Sequence, residues 1–204
     1  MPDLIIAACI WEPNDNSLPF SRMYDEAWVE KLYRGFKRHC TVPFEFVCFN
    51  DKDRMFDEPI HQTRLTGDLN YGALIEPFVL NEPTIICGLD TIVTGNIDPL
   101  ANYCLEAGKI AVPRDPFFPQ MVCNGVALVP GGHAWVYDDW NGENDMDYIR
   151  SLDVEVIDDI FPGQVVSYKG HVKAYGLDDA RIVYFHGEEK PHQLDHDWID
   201  REWR

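Results

Sequence analysis

The sequence predicts an α/β protein: a single three-layer domain over residues 1–204 around a mixed, mainly parallel central sheet. Three observations carry that expectation. Leu4 to Ile10 is a continuous apolar run, as expected of a strand covered on both faces. From Asp25 to His39 the apolar positions Trp28, Val29, Leu32, Tyr33 and Phe36 recur at helical spacing. Phe44 to Phe49 then reads as a second strand ending at Asn50-Asp51, so the chain opens β-loop-α-β with parallel strands.

The remaining elements follow in order. The polar loop Glu12 to Arg22 is long enough to suggest function. Asp25 is placed to serve the N-terminus of the first helix. Tyr71 to Leu80 reads as helical, and Thr84 to Cys87 as the next strand. Strands are expected at Lys109–Val112, Val122–Val129, Val154–Ile157, Gln164–Tyr168 and Arg181–His186, with short helices at His133–Trp140 and Asp145–Leu152. No repeat, low-complexity tract or linker interrupts the chain. Parallel α/β first and mixed β later puts a ligand site at the carboxyl ends of the first strands.

Composition narrows the partners. With 46% hydrophobic residues, 204 residues can bury a core. Against 17 Lys and Arg stand 35 Asp and Glu, a net charge of −18, which repels polyanions and argues against nucleic acid. An acidic protein that handles a phosphorylated small molecule must gather positive charge locally, from a cation or a few Lys and Arg. The six cysteines contain no Cys-x-x-Cys pair and read as free thiols of a reducing compartment. Met1-Pro2-Asp3 lacks the basic region of a signal peptide and no run is long enough to span a bilayer, so a cytoplasmic location is expected.

Two constellations carry chemistry. In Thr84 to Leu100 one carboxylate, Asp90, stands between two short β-branched runs before a turn at Gly95-Asn96, where it either caps the turn or coordinates a group at the strand end. Asp98, before Pro99, reads as an Asx-type turn residue. In Arg181 to Pro191 a strand delivers Tyr184 and His186 to one face, Gly187 permits a tight turn, and Lys190 projects beyond it. These residues either ligate a cation and neutralise a phosphate, or form a buried, satisfied His beside a surface Lys.

Taken in order, several motifs resemble nucleotide-sugar-dependent glycosyltransferases of the GT-A fold. They are Leu32-Tyr33-x-x-x-x-Arg38-His39, Pro43-Phe44-x-Phe46-Val47-Cys48, Asp90, Cys123-Asn124-Gly125-Val126, Val166-Ser167-Tyr168-Lys169 and Phe185-His186-Gly187-x-x-Lys190-Pro191. The chain is similar to family-eight retaining enzymes, glycogenin and lipopolysaccharide galactosyltransferases, and to bacterial and phage relatives. The resemblance implies that residues 1–100 bind nucleotide and 101–204 bind sugar and acceptor. It makes Asp90 and His186 ligands of Mn²⁺ or Mg²⁺. Asp51 would touch the nucleoside, Asn124 the donor sugar, and Gly187 and Lys190 the diphosphate, with Arg114 or Lys169 as further cations or plain surface charges. Asp145 and Asp147 match an acidic segment lining the sugars and are candidate catalytic residues; acids favoured by a helix dipole are the other reading. A nucleoside-diphosphate sugar, UDP-linked by preference, would be the donor, a carbohydrate or glycolipid the acceptor, and retention the outcome.

The chain departs from the pattern at three positions. Gly88 stands for the first Asp of Asp-x-Asp, Tyr184 for the metal-binding His, and Met146 for the middle Gln of the acidic segment. These departures keep a second reading open, a nucleotide-sugar binding protein with weakened transfer. A metal-dependent phosphodiesterase or nucleotidyltransferase would need a second carboxylate cluster, which the sequence lacks.

Overall fold

A computed structural model of the chain describes residues 4–106 and 108–204. The start at Met1-Pro2-Asp3, read above for targeting, lies outside the described residues. Strand β1 (Leu4–Ile10) pairs in parallel with β2 (Phe44–Asn50), and the first helix, α1 (Glu26–His39), crosses between them. Asp25 sits at the N-cap in extended conformation but makes no side-chain capping bond. What holds α1 is its apolar face: Trp28, Val29, Leu32, Tyr33 and Phe36 are buried against the sheet, each contributing about 1.5–3 kcal/mol. Its last turn has another task. His39 Nε2 lies 2.8 Å from Glu202 Oε2, and Arg38 donates to the Glu202 carbonyl, so the Arg38-His39 pair ties α1 to the C-terminal helix Asp197–Glu202.

Strand β3 (His61–Arg64) adds in parallel outside β2 as an exposed edge, a polar run that carries no apolar alternation. Tyr71–Leu80 is helical as expected but wound as a 3₁₀ helix: Pro77 lies inside it and cannot donate an α-type bond, and Asn70 caps it by accepting from the Gly72 amide at 2.7 Å. Next come β4 (Thr84–Cys87), parallel to β1, and β5 (Thr91–Val93). The following helix, α2 (Asp98–Glu106), was not apparent in the sequence. Asp98 opens its first turn; the Asx role falls instead to Asn96, which accepts from the Asp98 amide at 2.7 Å.

The second half forms shorter strands than expected: β6 (Ala111–Val112), β7 (Val126–Val129), β8 (Glu155–Val156), β9 (Val165–Ser167) and β10 (Ile182–Tyr184). Helices α3 (Trp135–Asp138) and α4 (Asp145–Ser151) lie between β7 and β8. The main sheet has seven strands in the order β3-β2-β1-β4-β7-β6-β8, parallel except where β7 runs against β4 and β6. The other three make a separate sheet, β5-β10-β9. That small sheet positions the site. Register pairs Tyr184 with Thr91, and the Phe185 amide donates to the Asp90 carbonyl at 3.0 Å, placing residue 90 beside the His186–Lys190 turn. No helix among the described residues is long and apolar enough to cross a membrane. Cys9, Cys48, Cys87, Cys104 and Cys123 are buried free thiols and Cys40 is partly exposed.

Candidate active site

A cavity of about 300 Å³ opens at the carboxyl ends of β1 and β4, within the range of small-molecule sites. Its walls come from both halves of the chain: Trp11, Phe20 and Tyr71 on one side, Asn124 and Met146 on the other, and Asp90, His186, Gly187 and Lys190 on the floor and rim. Asp90 and His186, far apart in sequence, therefore face one space.

Lys190 is nearly fully buried, and its Nζ donates to Asp90 Oδ2 and, at 3.4 Å, to the Phe185 carbonyl. Tyr24 donates its hydroxyl to the same Asp90 oxygen at 2.9 Å. Burial and the adjacent carboxylate push the Tyr24 phenol well above its ordinary range, so it stays a donor. An ammonium has three donors; two of those on Lys190 are engaged. The Phe20 and Tyr24 rings stand 5.4 and 5.8 Å from Nζ and supply a weak cation–π cradle.

His186 is half-buried, with Nε2 2.8 Å from Ser167 Oγ and its ring edge-on to Phe117. Burial, with the charge of Lys169, holds its pKa below the ordinary histidine value. Gly187 adopts φ +64°, and a β-carbon there would stand 3.1 Å from Lys169 Nζ, which makes both the backbone conformation and the close lysine dependent on glycine. Among the described residues Lys190 is paired with Asp90, and no carboxylate is paired with Lys169.

Asn124 donates through Nδ2 to Asp145 Oδ2 at 3.0 Å. Asp145 is buried at the N-terminus of α4 behind Asn124; burial raises its pKa against the lowering effect of that bond. Asp145 thus orients the cavity residue Asn124. Asp147, paired with it in the sequence reading, is exposed on the first turn of α4 and is not brought into the cavity.

Asp51 follows β2 and is not among the residues lining the cavity; it accepts from the Glu12 amide, next to the lining residue Trp11, at 3.0 Å and from Arg54 at 2.9 Å. Burial alone would raise its pKa, but these bonds outweigh it and hold the carboxyl below the usual range. Arg114 is turned away, its guanidinium on Asp159 at 2.6 Å and its amide on Asp158 at 2.8 Å, so it adds no charge to the cavity.

Mn²⁺ or Mg²⁺, expected at Asp90 and His186, meets a donor set that does not fit. One Asp90 oxygen is taken by Lys190 and Tyr24, and with glycine at position 88 no second carboxylate stands beside it. Tyr184, in place of a histidine, is buried over Gly125 with its hydroxyl 3.4 Å from Cys123 Sγ. No group of three or more His, Cys, Asp or Glu among the described residues is arranged to hold a metal.

Sequence reasoning missed Tyr24 and the aromatic wall of Trp11, Phe20 and Tyr71, and it quoted Ser167 within a motif without its role as partner of His186. Only the length of the 12–22 loop signalled part of that wall. Tyr71 pins the loop, its hydroxyl 2.8 Å from Ser21 Oγ and accepting from the Leu18 amide at 3.3 Å.

No protein-family model matches the chain, and no curated protein matches it by sequence. Solved structures do match. The glycosyltransferase GlyE of Streptococcus pneumoniae TIGR4 is 13% identical with a TM-score of 0.59 over 92% of this chain and 55% of its own. The bifunctional WbbM is 8% identical with a TM-score of 0.58, over 93% of this chain and 47% of its own. The galactosyltransferase LgtC, solved with donor and acceptor sugar analogs, is 11% identical with a TM-score of 0.54, over 97% and 93%. The chain thus spans about half the length of GlyE and WbbM and nearly all of LgtC. At such identities what is shared is architecture, and the chain has the GT-A-type α/β fold of these glycosyltransferases.

Proposed function

We propose that the cavity binds a nucleoside-diphosphate sugar and that the protein transfers the sugar to a carbohydrate or glycolipid acceptor. The observation that carries this reading is the Lys190 ammonium in the cavity lining, with Lys169 outside the lining but its Nζ 3.1 Å from where a β-carbon on the lining residue Gly187 would stand, in a chain of net charge −18. That is the local cationic centre a diphosphate requires. The likeness to donor- and acceptor-binding LgtC supports it.

Each wall has a task in this reading. The nucleoside lies along Trp11 and Tyr71, whose rings meet edge-on at 6.2 Å, with Asp51 at the end of β2 to receive a hydroxyl. UDP is the favoured carrier. Asn124, held by Asp145, orients the donor sugar, so residues 1–100 serve the nucleotide and 101–204 the sugar and acceptor. As the anomeric bond breaks, charge builds on the leaving diphosphate. Lys190 and Lys169 stabilise that charge more than they stabilise the ground state. A unit charge about 4 Å away is worth roughly 1 kcal/mol in water and about 4 at an effective dielectric of 20. Water exclusion therefore matters, and the 12–22 loop, carrying Phe20 and pinned by Tyr71, provides it. The acceptor attacks on the leaving-group face, with retention.

Met146 favours a second reading, binding with weakened transfer, because a thioether lining the sugar wall offers only a weak acceptor where an amide would make two kinds of hydrogen bond. A thermal-shift screen of UDP-, GDP-, CMP- and dTDP-sugars, followed by assay of the released nucleotide, tests both. A rise in Tm with one nucleotide class and turnover of its sugar supports transfer; a rise without turnover supports binding alone; no rise with any donor contradicts both.

A further inference from the structure

Two positive sources could neutralise a diphosphate in this cavity, a divalent cation on Asp90 or the ammonium of Lys190, and both would use the same carboxylate. The side chains favour the lysine. Lys190 and Tyr24 converge on one Asp90 oxygen, and Tyr184, at the position of a metal-binding histidine, is turned into the protein against Gly125 and Cys123. His186 engages Ser167 through Nε2, leaving one ring nitrogen. On Lys190, two donors fix the ammonium to the ends of β5 and β10, and the third is left for a ligand in the cavity it lines.

Resting on the nucleoside-diphosphate reading above, we propose that Asp90 is a positioning residue for Lys190, and that this protein binds the diphosphate through Lys190 and Lys169 without a divalent cation. The trio Tyr24, Asp90 and Lys190 then does electrostatically what a cation and its carboxylates do elsewhere: it holds one positive charge at a fixed point of a partly dry cavity, with no reorganisation when charge develops. Retaining Asp90 keeps the buried ammonium compensated when no ligand is present.

Calorimetric titration of UDP, GDP, CDP and dTDP into the whole protein, in chelator and in excess Mn²⁺, tests this. The expected result is one nucleotide binding with Kd values in the two conditions within about twofold, and a loss of at least tenfold for Lys190→Ala. Asp90→Asn keeps an acceptor oxygen for Lys190, and so the place of the ammonium, while removing a negative charge next to the diphosphate; in chelator it should bind as tightly as the wild type or up to tenfold tighter, whereas Asp90→Ala, which removes the anchor, should bind more weakly than Asp90→Asn. Binding that requires Mn²⁺, or that Asp90→Asn weakens tenfold while its Tm is unchanged, overturns the proposal and makes Asp90 a cation ligand. The wild-type comparison stands even if a variant fails to fold. Failure of all four nucleotides in both conditions refutes the diphosphate reading itself, a result distinct from Mn²⁺-dependent binding.

Discussion

The cavity floor is decided by single side chains whose charges are set by burial. Asp145 gives a pH signature. Burial raises its folded-state pKa above the unfolded value, so its favourable contribution to stability is complete below the ordinary carboxylate range and is lost as pH rises through the raised value. Asp145→Asn should flatten that part of the profile, with urea-unfolding free energies measured across the mildly acidic range as the readout. Because the carboxylate acts through Asn124, the same variant should weaken donor-sugar binding more than nucleotide binding. Glu202 behaves in the opposite sense. Burial would raise its pKa, but its bonds to Arg201 and His39 outweigh burial and lower it, so its contribution is present above the unfolded value and lost as pH falls through the folded one. Replacing Glu202 by Ala should cost about 1–3 kcal/mol in urea unfolding, since it leaves His39 without its carboxylate partner and removes the Arg38 ion pair, while the Arg38 bond to the carbonyl of residue 202 remains. That assigns the Arg38-His39 motif a structural task, clamping the C-terminal helix.

Among the elements, the short β5-β10-β9 sheet matters most, because its pairing is what joins residue 90 to the 186–190 turn. Gly125 shows how tightly it packs on β7. A β-carbon there would stand 2.6 Å from the Tyr184 ring, so Gly125→Ala should destabilise by about 1–3 kcal/mol and distort the cavity wall, read as a lowered urea midpoint together with weaker nucleotide binding. Much of this level was legible in the sequence. The runs Leu4–Ile10 and Phe44–Phe49 and the helical periodicity of α1 are long and strongly patterned, and the elements formed there, the second strand one residue longer than expected. The second-half strands shrank to two to four residues, too short for periodicity to bound them. β3 escaped notice because an exposed edge strand of His61-Gln62-Thr63-Arg64 has no apolar face to show. At the site, Asp90, His186, Gly187 and Lys190 could be singled out because each lies at a recognisable strand end or turn, while Asn124 came from the family resemblance alone. Tyr24 could not be singled out, and Ser167 stood in a quoted motif without a role, since what each does arises from contacts 66 and 19 residues away in sequence. The ion pair between Asp90 and Lys190, 100 residues apart, was hidden for the same reason.

For the molecule as a whole, the excess of negative charge and the buried ammonium act at different ranges. A surface of net charge −18 repels an approaching nucleotide over roughly a Debye length, about 10 Å at 0.1 M salt, whereas Lys190 acts only inside the cavity. The association rate constant for a nucleoside diphosphate should therefore rise with ionic strength in stopped-flow measurements; a rate that falls would mean the mouth of the cavity carries a steering positive field. The acidity also explains why the diphosphate charge must be met by groups held at one point. Where a nucleoside diphosphate sits is measured most directly by a crystal structure with UDP or the nucleotide that the thermal-shift screen selects. It should place the diphosphate within hydrogen-bond distance of Lys190 Nζ, beside the Gly187 turn, with the base along Trp11 and Tyr71. A nucleotide bound elsewhere on the surface, or a diphosphate turned away from Lys190, would contradict it.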